Sequence, residues 1–323
     1  MENYSSPDSN LAWMEYCNIT DKEDDHNVHV TTVLSAVVCA LVFLLGPTIN
    51  GFIMWIKIFK VEKKYRPILY LHLFFSGFMV SLIQPLDMVY FALDIHWPFG
   101  SFLCRLNSAI FYLYMCVSGL LLTLLSVDYC LVVFFPFSYT IYRTKELASI
   151  QAIVIWIFSL GVSVPYFLYK KTYDCQNSTK CIYGVFENEK IQYQSLVITA
   201  FVLGFFLPFL IIILFLTITG LFYHRKNPSR YTTGLKLIFL IQTCFGLCWL
   251  PYHVFSFLSS FPTGENLPNS LIDNGLNLTK ALTLLTTCIY PLLYAFICPD
   301  FKKVFCIQSV LTEKVFGARK NII

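Results

Sequence analysis

Seven long apolar runs, separated by short polar segments, leave this chain little choice of fold. They fall at about Thr31–Ile58, Pro67–Leu93, Phe102–Phe134, Leu147–Leu168, Tyr193–Phe222, Thr233–Leu258 and Leu276–Ile297. Each exceeds the roughly 20 residues a helix needs to cross about 30 Å of hydrocarbon. In lipid every backbone N–H and C=O must find its partner within the protein, so only helices and closed barrels span. The runs lack the alternation of barrel strands, which leaves helices. Prolines stand inside six of them (Pro47, Pro85, Pro165, Pro208, Pro251, Pro291). A proline costs a soluble helix about 3 kcal/mol, but membrane bundles tolerate the kink. The expected fold is an all-α seven-transmembrane helix bundle.

Composition excludes the soluble alternative. Only 13% of the residues are charged, against about 25% in soluble domains. The net charge of +4 gives no reason to expect a nucleic-acid partner. Its distribution is more telling. Sixteen of the twenty-three lysines and arginines, including Lys57, Arg66, Arg143 and Lys302, lie on one side of the expected membrane. The positive-inside rule then predicts an extracellular N-terminus and a cytoplasmic C-terminus, at the plasma membrane. Residues 1–29 read as a polar extracellular arm without the apolar core of a cleavable signal, 30–297 as the bundle and 298–323 as the cytoplasmic tail. Glycosylation sequons at Asn3, Asn18 and Asn177 fall on the expected outer side. The tail opens with an amphipathic stretch, Asp300–Gln308, that reads as a short interfacial helix lying on membrane lipid. Cys306 beside it is a candidate lipidation site. Cys17, Cys104, Cys175 and Cys181 are all extracellular in this topology, and four cysteines allow three connectivities. The inner loops leave no room for a catalytic domain. No metal-ligand spacing, phosphate-cradling loop or nucleophile triad is visible, so no enzyme, metal or cofactor is expected.

Motifs spread over all seven runs carry a resemblance. Asn50 stands in the first. His96-Trp97-Pro98-Phe99-Gly100 precedes Cys104, and Asp128-Tyr129-Cys130 follows 24 residues after that cysteine. Pro136, Trp156 and Pro208 come next, then Cys248-Trp249-Leu250-Pro251 and Tyr290-Pro291-Leu292-Leu293-Tyr294. In this order the chain resembles the rhodopsin-like G-protein-coupled receptors, nearest to the chemoattractant-peptide branch and next to the nucleotide and lysolipid branch. The resemblance implies an extracellular ligand, a heterotrimeric G protein or arrestin inside, and a disulfide from Cys104 to a loop cysteine. Cys181, nearer the fifth helix, is the expected partner, leaving Cys17 and Cys175 for a second bridge. Phe111 stands where amine receptors carry Asp, and Leu284 where opsins carry their lysine, so neither ligand class is expected.

The same comparison brings out departures. The family's Asp-Arg-Tyr reads Asp128-Tyr129-Cys130, its second-helix Asp is Gly77, its seventh-helix Asn is Tyr290, and Leu216 replaces a fifth-helix Tyr. Gly77 and Tyr290, beside Ser118, leave no carboxylate for the family's sodium site. Tyr129 supplies one hydrogen bond where an arginine supplies several. Asp128 is thus expected to lack its usual partner and to need water, a proton or another donor. A less firmly held resting state and weaker G-protein contact follow, with the coupling loss dominant. Asp128, Tyr129, Pro251, Tyr290, Pro291 and Tyr294 form the expected switch.

Ionisable groups inside membrane helices are costly and mark functional positions. Asp87, Arg105 and Lys280 are those on the outer half. One reading makes Lys280 the anchor for a ligand carboxylate or phosphate, and the other makes Asp87–Lys280 an internal staple. By alignment Phe111, Tyr112, Met115, Trp249, Tyr252 and His253 line the same cavity. The expected function is a ligand-activated cell-surface receptor. The alternative is a scavenger that binds ligand without coupling, raised by Tyr129 together with Gly77 and Tyr290. A transporter is disfavoured by the apolar midplane.

Overall fold

The computed structural model describes residues 26–59, 65–135, 141–175, 178–183, 187–226, 232–261 and 269–298. Seven helices in it are long and apolar enough to cross a membrane. They are His26–Phe59; Tyr65–Leu82 with Gln84–Ala92; Gly100–Phe134; Lys145–Tyr169; Glu187–Thr199 continued through Ala200–Phe206 to Lys226; Thr232–Ser260; and Asn269–Leu284 with Thr286–Ile297. We refer to them as spans one to seven. The third is the axis of the bundle: 67% of its most apolar window is buried, against 22% for the fifth. Large apolar side chains such as Leu44, Ile157, Leu247 and Phe296 point outward and stay exposed, as a lipid solvent requires. Cys17, Asn3, Asn18, Asn177, Cys306 and the stretch expected as the Asp300–Gln308 helix lie outside the described residues.

Spans five and seven begin at Glu187 and Asn269, earlier than the apolar runs at Tyr193 and Leu276. Their first turns are polar, so hydropathy alone does not register them. Prolines act in more than one way. Pro47, Pro165, Pro251 and Pro291 sit inside continuous helices. Pro85 instead starts a new helix after an interruption at Ile83. Its ring supplies no N–H, which is harmless in a first turn. Pro208 follows a π-helical segment, Ala200–Phe206. Its ring crowds the carbonyl of Gly204, and the wider turn relieves that contact. This carbonyl comes so close to span three that a Cβ on Gly119 would lie 2.9 Å from it. Any side chain there would push the two spans apart.

Span seven breaks at Leu285. Threonine hydroxyls occupy carbonyls around the break: Thr283 donates to Lys280 O (2.6 Å), Thr286 to Thr283 O (2.5 Å) and Thr287 to Leu284 O (2.7 Å). Asn50 ties span one to this region by donating to Thr287 O at 2.8 Å.

One end of the bundle is capped by a hairpin, β1 Lys170–Asp174 and β2 Thr179–Tyr183, paired antiparallel with Thr172 opposite Cys181. The disulfide Cys104–Cys181 fastens it to span three. Cys175 is also disulfide-bonded. Trp97 N–H donates to Thr179 O (2.8 Å) and His96 Nδ1 accepts from Thr179 N (2.9 Å), so the His-Trp-Pro-Phe-Gly loop grips the second strand.

Candidate ligand site and switch region

Beneath the hairpin, spans two, three and seven converge on one carboxylate. Asp87, only 3% exposed, stands on the helix that Pro85 restarts. Lys280 Nζ lies 3.0 Å from both of its oxygens, and Asn107 Nδ2 donates to Oδ1 at 2.8 Å. The ammonium also lies 5.5 Å from the centre of the Phe111 ring. A lone buried charge would be too costly to keep, and each of these two is kept by the other. Asp87 and Lys280 are therefore paired, and the Lys280 side chain remains 25% exposed.

A second ammonium sits nearby. Lys170, the first residue of the hairpin, holds Nζ 4.0 Å from the centre of the Tyr183 ring. By exposed area the residue is half-buried. Burial pushes its pKa down to about 7; Lys280 repels in the same direction and Asp87 opposes. Two lysines thus share the field of one carboxylate. Sequence reasoning missed Lys170. Its one signal is position, as the first charge after the apolar run of span four. Arg105, expected in the cavity, donates from Nε to Lys170 O at 3.2 Å and fixes β1.

Below this charged layer lies a packed aromatic floor. The hydroxyls of Tyr112 and Tyr252 are 2.9 Å apart, and Tyr112 stacks on Tyr166 with ring centres 3.6 Å apart. Phe111 meets Tyr252 and Trp249 at 5.3 and 5.6 Å. Trp249 and Met115 are wholly buried, Met115 against Gly204. His253 meets this floor at Trp249 and Tyr252, with ring centres 6.3 and 5.4 Å away. It is buried between Phe201 and Phe205, and it borders an apolar cavity of about 560 Å³ between spans five and six. Asp87, Lys170 and Lys280 are absent from that cavity's lining. An apolar cavity offers a charged ligand no counter-charge, so the chemistry for such a ligand lies under the hairpin.

The opposite end holds the largest correction. Asp128, expected without a partner, has two. Arg66 Nε reaches Oδ2 at 2.5 Å, while Arg143 Nε and Nη2 reach Oδ1 and Oδ2 at 2.7 and 2.9 Å. The carboxylate is completely buried and each arginine side chain is less than one-fifth exposed. Neither arginine neighbours Asp128 in sequence, so no spacing could disclose the clamp. A resting state held loosely for want of an arginine does not describe this end. Tyr129 is buried with the Arg66 guanidinium 3.4 Å above its ring centre. Its hydroxyl occupies space left by Gly234 of span six, where a Cβ would come within 2.5 Å of the oxygen. Lys57 lies in a cage of Tyr294, Tyr70 and Phe74, with ring centres 4.1, 5.2 and 5.8 Å from Nζ. Tyr290 fills the middle of span seven, fully enclosed. Pro251 and Pro291 lie within the spans that carry Trp249 and Tyr294. Asn50 Oδ1 would lie 3.3 Å from a Cβ on Gly77, so the asparagine occupies the place beside that glycine.

Comparison with known proteins agrees with this architecture. Residues 49–294 match the family model of the seven-transmembrane receptors of the rhodopsin family. Human chemerin-like receptor 1 is 30% identical over 295 residues, covering 85% of this chain and 77% of the relative. The C3a anaphylatoxin chemotactic receptor of Danio rerio is 29% identical, covering 84% and 73%. N-formyl peptide receptor 3 of Pongo pygmaeus is 28% identical, covering 85% and 82%.

Proposed function

The chain belongs to the rhodopsin family of seven-transmembrane receptors, and from that premise we propose that it is activated by an extracellular peptide bearing a carboxylate. It is a cell-surface G-protein-coupled receptor, and its family is one of receptors rather than enzymes. The observation that carries the ligand reading is the quarter-exposed ammonium of Lys280 on the buried carboxylate of Asp87, with Lys170 on the hairpin above. An incoming carboxylate takes Lys280 from Asp87 and adds Lys170, while the aromatic floor receives the peptide's apolar side chains. The names of its relatives, which include formyl peptide and C3a receptors, support a peptide.

The hairpin end faces outward in this reading. Its disulfide belongs to an oxidising compartment, and the Lys- and Arg-rich segments fall at the other end, on the cytoplasmic side of the plasma membrane. Ligand binding favours the bundle conformation whose cytoplasmic end is open, and a heterotrimeric G protein, with arrestin after it, reads that opening. Phe111, Tyr252 and Trp249 form the packed route from the site toward the middle of the bundle. The non-coupling scavenger alternative rests on Tyr129 with Gly77 and Tyr290, and no further observation favours it.

The test is a screen of peptides as free acids and as amides, read by nucleotide exchange and by internalisation. An active acid should lose about 2–5 kcal/mol of binding in Lys280→Ala, the cost of removing one partner of a buried charge pair. Its amide should be correspondingly weak. An agonist equally potent in both forms, and indifferent to Lys280→Ala, would remove the carboxylate reading.

A further inference from the structure

At the cytoplasmic end, among the described residues, one carboxylate faces two guanidiniums. Asp128 accepts two hydrogen bonds from Arg143 and one from Arg66. The two arginines are unequal. Arg143 presents a fork to the carboxylate and uses both prongs. Arg66 uses Nε alone, and its Nη2 is buried without an acceptor among the described residues. Guanidinium N–H groups that are buried and unmatched are uncommon, because desolvating a donor is costly unless an acceptor replaces water. Tyr129 packs against the group, its ring centre 3.4 Å from the guanidinium carbon. The ring in turn sits in the gap at Gly234 on span six. Movement of span six away from span three would empty that gap and let Tyr129 turn off the guanidinium. Arg143 would keep Asp128 paired meanwhile, since its two bonds do not involve Tyr129.

We propose that Arg66 is the residue through which this receptor grips its G protein, donating to a carboxylate on the segment that enters the opened cytoplasmic end. The proposal rests on the coupling reading above. It assigns the two arginines different work: Arg143 holds Asp128 in both states, and Arg66 is released from beneath Tyr129 to meet the partner. Arginine suits this role because its planar group can stack on a ring in one state and fork to a carboxylate in the other.

The experiment uses the purified full-length receptor in lipid nanodiscs, without ligand, and measures its affinity for a panel of nucleotide-free heterotrimeric G proteins. Arg66→Gln should weaken the best of these complexes by about tenfold or more, equivalent to about 1.4 kcal/mol. Its thermal midpoint should stay near that of the natural protein, because Arg143 still pairs Asp128. Arg143→Gln should weaken the complex less. Placing an arginine one position beyond Asp128, as Arg66→Gln/Tyr129→Arg, should restore affinity to within about threefold. Unchanged or tighter binding by Arg66→Gln would show that Arg66 is only a resting clamp and would overturn the proposal. So would a loss that Tyr129→Arg does not repair and a lowered midpoint accompanies. If the natural protein binds no member of the panel, the coupling reading itself fails and takes this one with it.

Discussion

The two ends of the bundle each bury one carboxylate and solve its burial differently. Asp87 is held by a single ammonium and an amide, and the ammonium, a quarter exposed, reaches both oxygens at 3.0 Å. Asp128 is held by two guanidiniums at 2.5–2.9 Å and is sealed from solvent. An ammonium is a compact charge on a flexible stem that a competing anion can draw away. A guanidinium fork fixes direction as well as distance. The outer arrangement is built to be exchanged and the inner one to be kept, at least by Arg143. In the proposed orientation, exchange at the ligand end and rigidity at the partner end are thus separated along the axis of span three.

The sharpest test compares the costs of neutralising each acid. Asp128→Asn strips two partly buried arginines of their counter-charge and should cost about 3–5 kcal/mol of stability. Asp87→Asn leaves one lysine with solvent access and should cost much less. Unfolding of both variants in nanodiscs, against the natural protein, decides it. Equal losses would mean that the outer pair is as structural as the inner.

Next in size is a gain. If Lys280 must leave Asp87 to meet a ligand carboxylate, Asp87→Asn frees it in advance and should tighten binding of an acid peptide by about 2 kcal/mol, the low end of such couplings. Competition binding at constant receptor number measures it. No change would favour the staple.

How far these features were legible in sequence depends on their range. The seven spans follow from hydropathy, and Cys104–Cys181 follows from the resemblance and is present. Asp87 and Lys280 could be named because charged groups stand out against apolar runs. The Asp128 clamp could not be read, because its partners lie 62 and 15 residues away and at the ends of spans, where arginines are ordinary. The loss of the arginine at position 129 was visible, but its replacement from span two was not. The π-helical segment before Pro208 was equally hidden, since periodicity reports apolar faces and not hydrogen-bond register.

The smallest effect separates the two outer lysines by pH. Lys170, with its pKa near 7, gains its proton as pH falls from 8 to 6. Lys280, Asp87 and Arg105 are the charged groups around it, along with the Tyr183 ring. Affinity for an acid peptide should rise over that window by up to about tenfold, one decade being the most a single titration can supply between those limits. Lys170→Arg, charged throughout, should flatten the profile. The sign for stability is opposite. The unfolded chain holds this proton to about 10.4, so folding free energy improves as pH rises from about 7 toward that value. A flat affinity profile in the natural protein would remove Lys170 from the ligand's contacts.

The break in span seven has a consequence for how the two ends communicate. Lys280 lies on one side of Leu285, and Tyr290 and Tyr294 on the other. A continuous helix would carry any displacement of Lys280 along its length as a piston does. A segmented one acts as a crank: its outer arm can swing with a departing lysine while its inner arm turns through a different angle about the Leu285 joint. Tyr294, seated over Lys57 on that inner arm, would then register rotation and not travel.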